Sequence, residues 1–291
     1  TMIKIGDICP LFFSPVKDKY AIDVDYIQRF HTTDKILLQI FADDGEVASA
    51  SLNDLIKGTS SNIQFQTYEV NASVMMYYVV FTSLPDSVYS ITFERKESEP
   101  FEVCSDSNIL EETALIRYSH KDNNSAFDNI FWIGDTQQVF EWRVEAGFKP
   151  AGYSAKIDNE QYRNQRQEIE ELYAVPYDSY VLTIGNSCGV PYWFGRHLNR
   201  ILCVSMFDVN GERYVRSENS VPEISQVMED SQMFFVTIAL EPQENSISGV
   251  GGAPEQASSA SIVGFVVNNP KEGEMLKYKE SEAAFINTSR I

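Results

Sequence analysis

Apolar positions in the first half of the chain recur with period two or form short continuous runs between turn residues, the spacing of strands rather than helices. "KILLQIF" (35–41) ends in "ADDGE", a turn on Asp44-Gly45. "IQFQTYEV" (63–70) alternates, and "VMMYYVVFT" (74–82) is nearly all apolar, as a strand buried on both faces would be. "VYSITFER" puts Tyr89, Ile91 and Phe93 on one side. Further strands are predicted at "TALIRYS" (113–119), "QVFEWRVEAGF" (138–148), "YDSYVLTI" (177–184) and "SQMFFVTIALEP" (231–242). "RILCVSMFDVNGERYVRS" (200–217) joins two runs through Asn210-Gly211, the pair favoured in a two-residue type I′ turn.

One helix is predicted, over "DNEQYRNQRQEIEELY" (158–173), where Asp158 or Asn159 could cap and Glu, Gln and Arg fill the body. Its thin stripe of Tyr162, Ile169, Leu172 and Tyr173 places it on a surface. From Gln243 the Gly/Ser/Ala-rich "QENSISGVGGAPEQASSASIVG" cannot bury enough apolar area to offset its ordering entropy, and reads as a linker or extended arm. The fold class expected is therefore mainly β: two β-sandwich-like domains, residues 1–110 and 111–245, with one surface helix and an extended C-terminal arm over 246–291. A length of 291 residues suits two domains.

Composition removes several functions. A net charge of −19 argues against direct nucleic-acid binding, which runs on Lys and Arg displacing counterions. No apolar run approaches the roughly 20 residues that cross a bilayer as a helix, so no membrane insertion is expected. Cys9, Cys104, Cys188 and Cys203 are scattered and read as reduced thiols. The N-terminal "MIKIGDICPLFF" lacks the pattern of a signal peptide, so a reducing cytoplasm is the expected place of synthesis.

The one catalytic-looking motif is Gly185-Asn186-Ser187-Cys188-Gly189, a G-x-S-x-G directly after a strand. A nucleophile elbow needs a helix straight after it, and Gly189 and Pro191 oppose one. His197 is the sole histidine downstream, with no acid between it and Ser187. The motif reads instead as a glycine-permitted turn leading into an aromatic, Arg-bearing loop. A Cys188–His197 pair stays geometrically open, and a small buried cysteine beside a turn is its plain reading. His31, His120 and His197 are scattered, and neither "IDVDY" nor "ADDGE" has calcium-loop spacing. No catalytic, cofactor-binding or metal residue is therefore assigned. Aromatic residues and Arg dominate protein interfaces, which makes Tyr192, Trp193, Phe194, Arg196 and Arg200 the candidate assembly contacts.

The succession "ETALIRYSHKDNNSAFDNIF", "FEWRVEAGF", "LTIGNSCGVPYWFGRHLNRIL" and "NGERYVRSENSVPE" resembles structural proteins of phage and prophage tails, baseplates and necks from gut bacteria, over roughly residues 85 to 245. The resemblance implies a non-enzymatic β-sandwich protein that forms a ring or sleeve in the virion, assembled in the host bacterial cytoplasm, with itself and neighbouring virion proteins as partners. It supplies no catalytic residue. The alternative is a carbohydrate-binding β-sandwich with Trp193 as platform; a hydrolase using Ser187 or Cys188 is a third reading.

Overall fold

A computed structural model describes residues 3–13, 26–43, 45–94, 96–123, 128–186, 188–229 and 231–244, together with three short strands further on. In chain order the first strands are β1 (Lys4–Ile5), β2 (Gln28–His31), β3 (Ile36–Asp43), β4 (Ala50–Asp54), β5 (Thr59–Asn62), β6 (Gln66–Asn71), β7 (Val74–Phe81), β8 (Ser87–Phe93), β9 (Lys96–Glu97) and β10 (Phe101–Cys104). The short helix α1 (Asn108–Glu112) follows. Then come β11 (Ala114–Ser119), β12 (Trp132–Ile133), β13 (Thr136–Gln137), β14 (Phe140–Val144), β15 (Ala146–Phe148), β16 (Ser154–Arg163) and β17 (Ile169–Ile184). Helix α2 (Trp193–Ile201) precedes β18 (Met206–Val209), β19 (Glu212–Arg216), β20 (Glu223–Gln226) and β21 (Phe234–Pro242). The molecule is mainly β, of a sandwich-like class.

The first ten strands make two facing sheets, β1-β3-β7-β6 and β2-β10-β8-β4-β5, with β9 on β8. Ile36, Leu38 and Ile40 of one sheet meet Phe30, Ile91, Phe93, Phe101 and Val103 of the other in a single core. A third sheet runs β14-β11-β18-β19-β21-β17-β15, and its two ends are consecutive parts of one stretch, Phe140–Phe148. That stretch passes from β11 to β17 at Glu145, so the sheet wraps round its own core of Tyr118, Phe140, Trp142, Leu182, Ile238 and Leu240.

The strand buried on both faces is β3, not β7. Seven of the eight β3 residues are buried, whereas β7 is mostly half-exposed. Successive side chains point to opposite faces of a strand. Accordingly Leu38 and Ile40 fill the first core, while Leu37 joins the core of the third sheet and Phe41 packs with Met76 and Ile130. Between them Gln39, fully buried, donates to the Ile130 carbonyl at 2.7 Å and accepts from the Ile130 amide at 3.1 Å. Nearby, the Arg143 guanidinium grips both Asp34 carboxylate oxygens at 2.6 and 2.7 Å and donates to Thr113 at 3.0 Å. Both charges are buried, and this bidentate geometry with its added hydrogen bond is what offsets their desolvation.

Two further sequence expectations are corrected. Residues 158–173 are not a helix: they lie in the hairpin of β16 and β17, paired from Ser154↔Ser179 out to Arg163↔Ile169, with an irregularity at Glu160/Gln161. Helix-favouring Glu, Gln and Arg set only a weak prior there, and strand pairing overrides it. Conversely, the segment read as an aromatic loop is helix α2. Pro191 stands two residues before its first turn, where a missing N–H is harmless, and Phe194, Leu198 and Ile201 form its buried stripe. The Asn210-Gly211 hairpin is as expected, with φ of 54° and 93° and Val209 paired with Glu212.

The chain divides into a unit of residues 1–244 and a second of 245–291. In the second, β22 (Phe265–Val266), β23 (Met275–Lys279) and β24 (Ala284–Thr288) form a small sheet in the order β22-β24-β23. The rest of the expected arm over 246–291 lies outside the described residues.

Candidate functional site

β17 ends at Ile184 and the chain must turn sharply to enter α2. Gly185 and Gly189 take φ of 109° and 80°, and the Gly189 amide donates to the Gly185 carbonyl at 2.5 Å. A Cβ on Gly185 would stand 2.8 Å from the Phe234 carbonyl oxygen, so only glycine fits that approach. Val190 then pairs with Phe234 through two 2.8 Å backbone bonds, which fixes where α2 starts. The expected glycine-permitted turn is present. Ser187 lies outside the described residues.

The helix sends its predicted contact residues to different places. Phe194 is fully buried, with ring centroids 5.0 Å from Phe12, 5.2 Å from Tyr26 and 5.3 Å from Trp142, so it is a core residue rather than a free contact. Tyr192 is half-buried against Phe234, and Trp193 is half-buried against Phe12. Arg196 and Arg200 are exposed.

His197 is buried, edge-on to Trp142 at 4.6 Å, with its Nε2 3.3 Å from the Tyr118 hydroxyl. Burial, aided by the neighbouring Arg200 charge, pushes its pKa down to about 3. An imidazole so hard to protonate is a weak general base. Cys188 is exposed, while His197 faces core aromatics. Cys9 is buried, and desolvation pushes its thiol up to about 12.

Beside α2 lies a cavity of about 290 Å³ whose walls come from the N-terminal segment around Lys4–Phe13, from Lys96, and from Trp193, Arg196, His197 and Arg200. Four cations, Lys4, Lys96, Arg196 and Arg200, face one acid, Asp7, in a chain of net charge −19. Arg200 bonds the Asp7 carbonyl at 3.3 Å, and Lys4 pairs with Asp128 at 2.5 Å. The buried Nε1 of Trp193 has no hydrogen-bond partner among the described residues. The sequence brought forward Trp193 and the two arginines but not Lys4, Asp7, Phe12 or Lys96, which lie about 100 to 190 positions away and carry no local signal.

The second feature is the hairpin. Every residue of β16 is exposed, as are the first eight of β17, Ile169–Pro176. At about 3.3 Å per residue its ten paired positions make a ribbon roughly 30 Å long, with no strand partner among the described residues on either outer edge beyond Ser179. It leaves Ile157, Tyr162, Ile169, Leu172, Tyr173 and Val175 each at least 45% exposed. At its tip, Asn164 and Glu168 close the turn through a 3.0 Å backbone bond.

Among the described residues no group of three or more His, Cys, Asp or Glu side chains could hold a metal, and no helix is long and apolar enough to cross a membrane.

No family model matches the chain, and no curated protein does. Among solved structures, the pullulanase of Anoxybacillus sp. LM18-11 with maltotriose matches at 11% identity over 56% of this chain and 24% of that one, with a TM-score of 0.18. Pullulanase type I of Bacillus subtilis str. 168 with maltose matches at 9% identity over 56% and 23%, also at 0.18. The Dpr2 Ig1-Ig2 complex with DIP-Theta Ig1-Ig3 matches at 9% identity over 85% and 92%, again at 0.18. The match spans about a quarter of the length of the two pullulanases. Likeness this low carries no functional argument.

Proposed function

We propose that the protein is a non-enzymatic structural component that works by assembling, joining copies of itself into a ring or sleeve and contacting neighbouring proteins of a phage tail, baseplate or neck. The observation that carries the reading is the β16–β17 ribbon. A two-stranded ribbon exposed on both faces is marginal in water by itself, and six large apolar side chains along it gain nothing from solvent. A partner that covers the ribbon removes both costs. The sequence resemblance supplies the particle: a virion, built in the bacterial cytoplasm. The glycan-binding alternative needs an open aromatic face, and Trp193 is half-buried with Phe12 at 6.3 Å.

The test is the mass of the purified protein by light scattering after size exclusion, with negative-stain images, beside a variant whose residues 157–176 are replaced by Asn-Gly, which joins the paired Lys156 and Tyr177. A discrete multimer or incorporation into tail or neck particles is expected for the native chain, and loss of both for the variant. A native chain that stays monomeric and also fails to join such particles rejects the proposal.

A further inference from the structure

The cavity beside α2 and the β16–β17 ribbon carry opposite charge on one chain. On the ribbon, register puts Asp158, Glu160 and Tyr162 on the same face as Val175, Tyr173 and Glu170. All six are exposed. This face is negative enough that the Asp158 charge is the first cause raising the Tyr173 hydroxyl pKa, with Glu160 contributing. The cavity is lined by Lys4, Lys96, Arg196 and Arg200, with Lys4 paired to Asp128 and Arg200 3.9 Å from the Asp7 carboxylate, and the half-buried Trp193 forms part of its wall. At about 290 Å³ it falls at the lower edge of small-molecule sites, roughly 300–1,000 Å³, and suits an inserted side chain.

We infer that the basic cavity receives the acidic, tyrosine-bearing face of the ribbon from a second copy, so that copies join head to tail. The inference rests on the assembly reading above and names the contact it uses. Ribbon-to-ribbon pairing would set carboxylate against carboxylate, which disfavours it. Chain order suits a contact between copies: the ribbon is the start of β17, whereas α2 follows that strand's end. The contact is heterologous, because different patches meet, and such contacts close into rings or run on as helical arrays. A Tyr162 or Tyr173 ring can enter beside Trp193, while Glu160 and Glu170 meet Arg196 and Arg200. Tyr, Trp and Arg are the residue types enriched at interface hot spots.

Charge reversal of full-length protein tests it. The ribbon variant is Glu160→Lys with Glu170→Lys; the cavity variant is Arg196→Glu with Arg200→Glu. All four side chains are exposed, and unchanged circular dichroism and melting confirm folding; Lys96→Glu serves as a milder cavity variant. Each variant alone is expected to weaken self-association at least tenfold by analytical ultracentrifugation, and an equimolar mixture of the two to recover the native multimer, since each ribbon then faces a cavity of opposite sign. Native association should also weaken as salt shortens the Debye length. A multimer unaffected by both variants, or a mixture that stays monomeric, overturns the head-to-tail contact and leaves the assembly reading intact. A native monomer that still enters particles does the same, whereas one that does not enter them ends both.

Discussion

At the scale of single residues, His197 has an explanation that needs no catalysis. Its ring closes a buried aromatic group with Trp142, Tyr118 and Phe12, and desolvation is the main cause of its pKa near 3. In the unfolded chain the same ring protonates near 6.5. Between those values the unfolded state binds the extra proton, so stability rises with pH. His197 therefore contributes fully above about pH 6.5, and that contribution is lost as pH falls toward 3. One proton corresponds to a slope of about 1.4 kcal/mol per pH unit. In His197→Gln, denaturant titrations from pH 7 to 4 should give a shallower loss, the gap between native and variant narrowing with acidity. Parallel curves would mean that His197 does not titrate with unfolding. None of this was legible in the sequence, because burial of a lone histidine depends on residues about 80 positions away.

At the scale of elements, the strand–turn–helix around residues 177–201 was half legible. Its turn was readable, because Gly185 and Gly189 sit where the chain must leave a strand and both take positive φ. Its helix is not legible, because Gly189 and Pro191 read as breakers although they stand before the first turn, and because Tyr192, Trp193 and Phe194 read as a loop's aromatics, which hides the stripe that Phe194 makes with Leu198 and Ile201. The ribbon is illegible for the opposite reason: strands exposed on both faces lack the in–out alternation that identifies a strand, so composition alone speaks, and it favours a helix. The turn also makes a quantitative demand. Gly185→Ala adds a strained φ and a methyl 2.8 Å from the Phe234 backbone oxygen. It should cost about 1–3 kcal/mol or more in urea unfolding. Gly211→Ala, at φ 93° with nothing within 4 Å of the new methyl, should keep only the strain and cost less. Equal losses would show that crowding at Phe234 is absent.

At the scale of the whole molecule, periodicity reads as two β-rich segments with a break near residue 110; strands β1 to β10 and strands β11 to β21 pair in separate sheets, while residues 1–244 form one compact unit. What periodicity could not give is how the two segments share residues. β3 belongs to the first sandwich by pairing, yet its Leu37 lies in the core of the third sheet, and Gln39 bonds to Ile130. The Asp34–Arg143 pair crosses the same junction, and breaking a buried pair by removing one partner typically costs about 3–5 kcal/mol. Unfolding either segment alone would uncover the outward face of β3 and strand a buried charge. Residues 1–244 should therefore unfold in one transition, with calorimetric and van't Hoff enthalpies in agreement. Asp34→Ala should lower the midpoint and favour two separated steps, since it removes the polar lock while leaving both cores filled. Two transitions in the native chain would mean that β3 joins the segments without coupling them. A single transition also bears on assembly, because a rigid body fixes the direction in which its ribbon projects, and a fixed direction is what lets repeated contacts close into a ring of defined size.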